Sequence, residues 1–282
     1  MSAVTTLQPI LDHVVVNVLG DMDRAAEAYR RLGFQLTPRG YHSLGTINHL
    51  AIFEENYLEL LGYPPGGETS RPDLWLHPPG LTGLVFKAPD PDAVRLQLEE
   101  RGVAFEPPGE FTRPVELAEG SRDARFRVIR IARELVANGR TFFCHHFTPD
   151  LVWRPEWQVH PNGAAAIVGY VIAAADPVAT AQLYDRIFGP DILKPVEGGF
   201  AFQAGKARIE ILSAARIAAR FGRAAPGPLD GAARMAALTI ATSSLAKTRA
   251  VLNGNGIAYE CRTDDELVVS HIDAAGVAIA FT

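Results

Sequence analysis

Apolar residues along the chain gather in short β-branched runs, and each run is followed by a stretch of helical periodicity. The first run is LDHVVVNV (11–18), whose valines suit a buried β-strand. In GDMDRAAEAYRRLGF (20–34), apolar positions then recur on one helical face, after Asp21 or Asp23 as a cap and before a glycine that ends the pattern. This stretch predicts a strand followed by an amphipathic helix.

The same pattern occurs again in IVGYVIAAADPVATAQLYDRIFG (167–189). Its helical stripe repeats that of the first copy 155 positions later, and Asp176 stands where Asp21 stood. A fixed offset of more than half the chain indicates two homologous halves.

Each half divides again into two modules. The stretches LTGLVFKAPDPDAVRLQLEERG (81–102) and ALTIATSSLAKTRAVLNGNG (237–256) are further strand and helix copies. Roughly three strand-like stretches follow each helix. In the second module these are AFEPPGEF (104–111), ARFRVIRIARELV (124–136) and TFFCHHF (141–147). The predicted fold class is therefore α+β, built from four βαβββ modules.

The modules define the expected domains. The first domain is predicted over 1–150, with modules at about 8–63 and 80–147, and the second over 164–282. Prolines and an Asn-Gly pair mark 151–163 as the linker. The irregular stretch 63–80 joins the first two modules, and its Trp75 is expected either to contact a ligand or simply to pin the loop.

Composition narrows the class of protein. A net charge of -5 gives no basic footprint for nucleic acid, and the longest apolar run is too short to cross a membrane. The two cysteines are too few for a disulfide scaffold, and the first residues lack signal-peptide character. We therefore expect a cytoplasmic protein, and these features leave open whether it is a monomer or a homodimer.

The four modules, with LDH on the opening strand and YLEL on the fourth, resemble the vicinal oxygen chelate superfamily. The segments GYHSLGTINHL…YLELLGY and FFCHHFTPDLVWRPEWQVHPNG resemble more narrowly its glyoxalase-like domain proteins. The resemblance implies that two modules pair into a curved mixed sheet that forms a cup, with metal ligands on the first and fourth strands of each module. Each half of the chain is then one such domain.

Residue by residue, the resemblance implies the metal ligands His13, Glu59 and His146. The matching position in the second module is Gly83, which has no side chain, and the motif CHHFTP favours His146 over His145. Two imidazoles, one carboxylate and an open position suit Fe(II), and the same set holds Zn, Mn, Co or Ni. A buried histidine is otherwise a hydrogen-bonded core residue, whereas Glu59 on an apolar strand needs a cation or a hydrogen-bonding partner.

Other residues of the first half are candidates for the same site. His42 is a candidate general base beside the metal, or else a solvated strand residue. Asn48 is expected to donate to a ligand oxygen. The segment 121–140 holds six arginines, of which Arg127 is the candidate anchor for an anionic substrate, although alternation along the strand favours a solvated face. In the second half, Gly169 replaces His13 and only Glu210 matches a ligand, so we expect no metal there.

Two functions follow from the resemblance. The first is a metal-dependent enzyme that chelates a small oxygenated metabolite, with isomerase, lyase and dioxygenase chemistry all open. The alternative is a metal-free protein of the bleomycin-resistance type, which sequesters a small molecule in the cup.

Overall fold

The structure, a computed structural model, describes residues 7–118, 120–263 and 265–282, which form two eight-stranded sheets. The strands of the first sheet are β1 (Leu11–Leu19), β2 (Gly40–Tyr41), β3 (Ile47–Ile52), β4 (Tyr57–Gly62), β5 (Gly80–Lys87), β6 (Gly109–Leu117), β7 (Gly120–Arg130) and β8 (Arg140–His146). Those of the second are β9 (Ala164–Ala174), β10 (Lys194–Val196), β11 (Gly199–Ala204), β12 (Ala207–Ser213), β13 (Arg234–Thr242), β14 (Tyr259–Thr263), β15 (Glu266–Val269) and β16 (Ala278–Phe281). The α-helices are α1 (Met22–Arg31), α2 (Pro72–Trp75), α3 (Pro91–Glu100), α4 (Pro177–Phe188), α5 (Ala214–Phe221) and α6 (Leu245–Gly254).

Both sheets have the same strand order. The first runs β2-β3-β4-β1-β5-β8-β7-β6 and the second β10-β11-β12-β9-β13-β16-β15-β14. In each module the first strand pairs in parallel with the fourth, and the first strands of two modules pair antiparallel at the sheet centre. The predicted α+β fold of four βαβββ modules in two curved sheets is confirmed.

Acidic caps begin some of the module helices. The Asp176 carboxylate accepts a hydrogen bond from the Ala179 amide at the start of α4, at 3.0 Å, and Asp90 caps α3 in the same way. At α1, Asp21 holds the N-cap position, but its carboxylate pairs with Arg24 at 2.5 Å instead of with the backbone. The expected Asp21 cap is therefore replaced by a surface ion pair.

Three apolar clusters organise the molecule. The largest is shared by both halves and contains residues of β1, α1, β9 and α4, so the two sheets are packed on one core. The second cluster lines the concave face of the first sheet, and the third lines that of the second sheet. Burial on both faces explains why the central strands read as almost continuous apolar runs.

The second module differs from the sequence-based expectation at one strand. A strand was expected over 104–111, whereas β6 runs over Gly109–Leu117 and pairs with β7. Pro114 and several charged residues weaken the strand pattern there. Proline is tolerated because β6 lies at the end of the strand order, where one of its sides needs no ladder partner.

Short 3₁₀ turns and side-chain contacts fix the segment between the sheets. The turns are Pro149–Leu151 and Pro155–Trp157. The Asn162 side chain donates from Nδ2 to the Leu32 carbonyl at 2.9 Å, and His160 Nδ1 accepts from the Gln35 backbone amide at 3.0 Å. Within the described ranges, none of the helices combines the length and apolar character that crossing a bilayer requires.

Candidate functional site

The concave face of the first sheet encloses a cleft with about 620 Å³ of empty volume, part of it open to solvent. The two ends of the strand order meet across its mouth. The Ser43 amide donates to the Thr112 carbonyl at 2.9 Å, and the Thr112 amide donates to Ser43 Oγ at 3.1 Å. This contact makes the first sheet nearly barrel-shaped, so side chains from distant strands converge inside it.

A buried acid lies between two histidines at one side of this cleft. His13 Nδ1 lies 2.6 Å from Asp12 Oδ2, and His146 Nε2 lies 2.9 Å from the same oxygen. One ligating atom from each of the three residues falls within 4.8 Å of the others. Asp12 is fully buried and His13 is 4 % exposed. The cluster joins the cleft through His13, which lines it.

Asp12 reaches the histidines because β1 bulges at this point. Leu11 pairs with Phe86 and His13 pairs with Val85, so Asp12 is an extra residue on its strand. A bulge breaks the two-residue alternation and turns a side chain toward a new direction. Regular alternation places Asp12 opposite to His13, which is why the sequence did not indicate it. Its one signal was a carboxylate in an apolar strand, where burial requires a partner.

Glu59 belongs to a neighbouring polar group. Its Oε1 accepts a hydrogen bond from Asn48 Nδ2 at 2.7 Å and lies 3.8 Å from His42 Nε2. Its Oε2 lies 3.9 Å from His13 Nε2. The imidazole of His13 therefore has Asp12 at one nitrogen and Glu59 at the other. In the described part of the chain, Glu59 is not one of the residues that converge within 4.8 Å.

Burial controls the charge of the site. Burial by itself raises the pKa of Asp12, but the charge of His146 and the hydrogen bonds from both histidines outweigh it and hold that pKa well below its usual range. Burial lowers the pKa of His42 to about 4, which leaves its imidazole neutral at pH 7. His42 Nδ1 lies 2.7 Å from Thr46 Oγ1, which fixes the ring. Tyr57 stacks on His13 with ring centroids 4.4 Å apart, and burial raises its pKa.

The donor set of Asp12, His13 and His146 fits a divalent metal. Two nitrogens and one carboxylate oxygen are common ligands of first-row transition metals. Asp12 Oδ1 and His146 Nδ1 are also buried with no hydrogen-bond partner among the described residues, so the cluster has unused ligating capacity.

Arginines also reach the cleft, from positions that the sequence did not indicate. Arg71, Arg113, Arg130 and Arg140 all line it. Arg71 pairs with Asp73 in two hydrogen bonds of 2.9 and 2.7 Å. Arg130 and Arg140 lie on the same faces of β7 and β8 as the other side chains that point into the cleft. Alternation along the strands could therefore have indicated them once the inward face was known.

Three residues considered from the sequence lie elsewhere. Arg127 lies on the opposite face of β7 from the cleft-lining residues, and its Nε donates to Glu110 Oε1 at 2.7 Å. It therefore does not reach the cleft, because alternation in β7 turns it outward. Trp75 packs edge-on against Tyr63, with ring centroids 4.9 Å apart. The preceding residue of α2, Leu74, lines the cleft instead. His145 Nδ1 donates to the Ala88 carbonyl at 2.8 Å, away from His146.

A helix covers part of the concave face of the second sheet, and a pocket remains there beside Glu210. Helix α5 packs there, with Ile217 and Phe221 buried in the third apolar cluster. Glu210, which matches Glu59, forms ion pairs with Arg220 and, at 3.4 Å, with Arg208. His271 Nδ1 donates to the Ala224 carbonyl at 2.9 Å. Arginine side chains thus neutralise the carboxylate of the second half.

Comparison with known structures gives the same architecture. A hypothetical protein from Staphylococcus aureus matches with a TM-score of 0.64 at 14% identity, covering 96% of this chain and 98% of that one. A mutant of 4-hydroxymandelate synthase from Streptomyces coelicolor matches with a TM-score of 0.59 at 11% identity, covering 98% and 92%. A xylose isomerase-like TIM barrel/4-hydroxyphenylpyruvate dioxygenase fusion protein matches with a TM-score of 0.57 at 11% identity, covering 98% of this chain and 49% of that one.

At these identities the structural likeness establishes the fold alone. Comparison with curated proteins finds no match. The sequence profile of the glyoxalase-like domain matches residues 11–188, which include the whole first sheet together with β9 and α4. The chain therefore belongs to the glyoxalase-like domain family, with the fold of the vicinal oxygen chelate superfamily.

Proposed function

We propose that this chain is a metal-dependent enzyme of the vicinal oxygen chelate type that acts on a small oxygenated metabolite in the first cleft. The observation that carries the proposal is the buried cluster of Asp12, His13 and His146, whose ligating atoms converge within 4.8 Å. We propose these three residues as ligands of a divalent cation. Glu59 faces the other nitrogen of His13, with its Oε2 3.9 Å from Nε2, so we propose it as the carboxylate ligand only of a cation that binds His13 through Nε2 in place of Asp12.

A bound divalent cation supplies Lewis-acid polarisation of a substrate oxygen. The surrounding residues position the reacting groups. Asn48 donates to Glu59 and leaves its Oδ1 buried without a partner in the described structure, which suits it to accept from a substrate hydroxyl. His42 is neutral at pH 7 and is held by Thr46. Its Nε2 lies 3.2 Å from Asn48 Nδ2, from which it accepts a hydrogen bond, and it is the atom that we propose as the proton acceptor beside Glu59. Isomerase, lyase and dioxygenase reactions are the classes we propose to assay.

Metal content is the direct test. Protein purified without chelator is analysed for metals by mass spectrometry, as wild type and as His13→Ala. The proposal expects close to one divalent ion per chain in the wild type and its loss from the variant. His145→Ala is the matched control, because His145 bonds to a backbone carbonyl on the other face of β8. Wild-type protein that holds no metal even after reconstitution would overturn the proposal.

Variants of the two acids separate their roles. Asp12→Ala is expected to remove the metal as completely as His13→Ala does, since Asp12 lies between both histidines. Glu59→Gln keeps the hydrogen bond from Asn48 to the side-chain carbonyl, so it tests the carboxylate charge alone. We expect it to weaken metal binding by about tenfold to a hundredfold.

The metal-free binding protein is the second candidate. The observation that favours it is that Asp12 already accepts from both imidazoles, so the cluster has internal partners without a cation. This candidate expects metal-free protein with an unchanged fold and saturable binding of a small molecule in the cleft. The metal analysis above distinguishes the two.

A further inference from the structure

We propose that the first cleft binds an anionic metabolite, whose carboxylate or phosphate group is held by Arg113, Arg130 and Arg140. The inference deepens the proposed function by naming the substrate class, and it rests on that function for the site but not for the metal. It starts from an imbalance of charge among the residues that line the cleft.

Arg113 is the strongest evidence. It is 3 % exposed, and its Nη2 is buried with no hydrogen-bond partner among the described residues. It lies on β6 between Phe111 and Val115, both of which belong to the apolar lining of the first sheet. A buried guanidinium remains charged, and leaving its donors unpaired is costly. Its position suits a donor that is completed by a ligand.

Arg130 and Arg140 repeat this situation on the next two strands. Each has a buried Nε without a partner in the described structure. The Arg140 guanidinium lies over the Phe142 ring, 5.5 Å from its centroid, which orients it within the cleft. Burial, with a further contribution from the Arg130 charge, lowers the pKa of Arg140 to about 10, so the Arg140 guanidinium is cationic at pH 7 and is repelled by its neighbour.

The nearby carboxylates do not balance these charges. Of the acids, Asp73 is taken by Arg71 in a bidentate pair. Glu59 also lines the cleft, but it accepts from Asn48, and in the described structure no ion pair joins it to any of the three arginines. Among the residues that line the cleft, three arginines for which the described residues supply no ion pair therefore face one carboxylate, and Glu106 contributes a favourable charge to Arg130 from outside the lining. An oxyanion of the substrate supplies what is missing, and the guanidinium fork matches carboxylate and phosphate geometry.

Calorimetric titration of the full-length protein tests this inference. Inorganic phosphate and succinate are the probes, titrated at constant ionic strength into protein as purified and again after chelator treatment. We expect saturable binding of at least one probe in both preparations. Arg113→Gln and Arg140→Gln are expected to weaken it about tenfold or more, since each removes a charged hydrogen bond in a buried site. Arg127→Gln, the matched control outside the cleft, is expected to leave the affinity unchanged.

Each outcome decides the inference. Binding of phosphate alone assigns a phosphorylated substrate, and binding of succinate alone assigns a carboxylate. Equal affinities in Arg113→Gln, Arg140→Gln and Arg127→Gln, or no saturable binding of either probe, would overturn it. Circular dichroism checks that the variants fold. If the protein binds an anion but takes up no metal even after reconstitution, the inference stands while the enzyme proposal fails, and metal binding without anion binding has the opposite meaning.

Discussion

At the scale of single residues, the first cleft holds polar groups whose burial makes sense only with a ligand. Arg113 combines almost complete burial with an unpaired nitrogen, and Asp12 keeps one oxygen unpaired beside two histidines. Such groups lower the stability of the free protein, because burying an unsatisfied charge is unfavourable. Their retention is understandable when they act on a substrate or a cation.

Removing the buried Arg113 charge should therefore stabilise the free protein. We expect Arg113→Met to raise the free energy of unfolding by about 1–3 kcal/mol, since an apolar side chain of similar length replaces an uncompensated charge. Urea denaturation measures this change. Arg127→Met, which loses an exposed pair with Glu110, should change it by about 0.5 kcal/mol or less. A destabilised Arg113→Met variant would mean that the guanidinium has a partner within the chain.

Gly40 gives the Arg113 side chain its room. A Cβ at Gly40 would lie 2.6 Å from Arg113 Cδ and still closer to Asn48 Oδ1. We expect Gly40→Ala to displace both side chains and to cost about 1–3 kcal/mol of unfolding free energy. Gly254→Ala is the control, because no atom lies within 4 Å of its Cβ, and it should stabilise the protein by about 0.5–1 kcal/mol. Equal effects at the two glycines would contradict the close packing at Gly40.

Sequence alone could indicate only some of these residues. Alternation along β8 shows that only one of His145 and His146 faces the cleft, and the resemblance favoured His146. Asp12 could not be found in this way, because a bulge depends on pairing with β5 and leaves no local sequence signal. Arg113 was not considered, because Pro114 and the flanking charges conceal the strand on which it lies.

At the scale of elements, the two sheets share a topology but differ in what covers their concave faces. The division into two halves with the same modules could be predicted, since the 155-residue offset repeats a strong helix and strand pattern. Helix α5 was not predicted, although AARIAARF has good helical spacing, because the short segment follows the last strand of its module. Helix α5 covers part of the second concave face and leaves a smaller set of residues exposed there, beside Glu210.

Phe221 anchors α5 to the concave face of the second sheet. It is fully buried in the third apolar cluster. We expect Phe221→Ala to lower the free energy of unfolding by about 3–5 kcal/mol, through lost burial and the cavity it leaves. Val178→Ala, at a 53 % exposed position of α4, should change it by about 0.5 kcal/mol or less. A small effect at Phe221 would show that α5 is not part of the folded core.

The segment between the sheets should make stability depend on pH. Burial lowers the pKa of His160, although its hydrogen bond to the Ile52 carbonyl opposes this shift. Below about pH 6.5 the His160 side chain therefore binds a proton in the unfolded chain but not in the folded protein. The contribution to stability is complete above that pH and is lost as the pH falls toward the lowered folded pKa.

We accordingly expect His160→Gln to flatten the pH dependence of the unfolding free energy below about pH 6.5. Urea denaturation of the variant and the wild type over a series of pH values measures the two slopes. Identical slopes would show that His160 is protonated equally in both states.

At the scale of the whole molecule, the halves behave as one body because they share a core. The largest apolar cluster contains residues of both sheets, and Asn56 bonds to both the amide and the carbonyl of Ile167 at 3.0 Å. Tyr29 of α1 donates to the Ala274 carbonyl of the second half at 3.3 Å. Such contacts favour a single cooperative transition.

Two spectroscopic probes can test this cooperativity. Trp75, Trp153 and Trp157 all precede the second sheet, so their fluorescence reports on the first half and the connecting segment. Circular dichroism reports on both halves. We expect the two urea transitions to coincide. A separate dichroism transition without a fluorescence change would show that the second half unfolds independently.

The central claim is that the imidazoles of His13 and His146 and a carboxylate oxygen bind one cation beside the cleft. Anomalous diffraction from crystals of metal-loaded protein, recorded at the absorption edge of the metal found by mass spectrometry, tests it most directly. The account predicts one strong peak within bonding distance of His13 and His146 and of a carboxylate oxygen of Asp12 or Glu59. A map with no peak there, in protein whose three side chains keep the hydrogen bonds described, would contradict it.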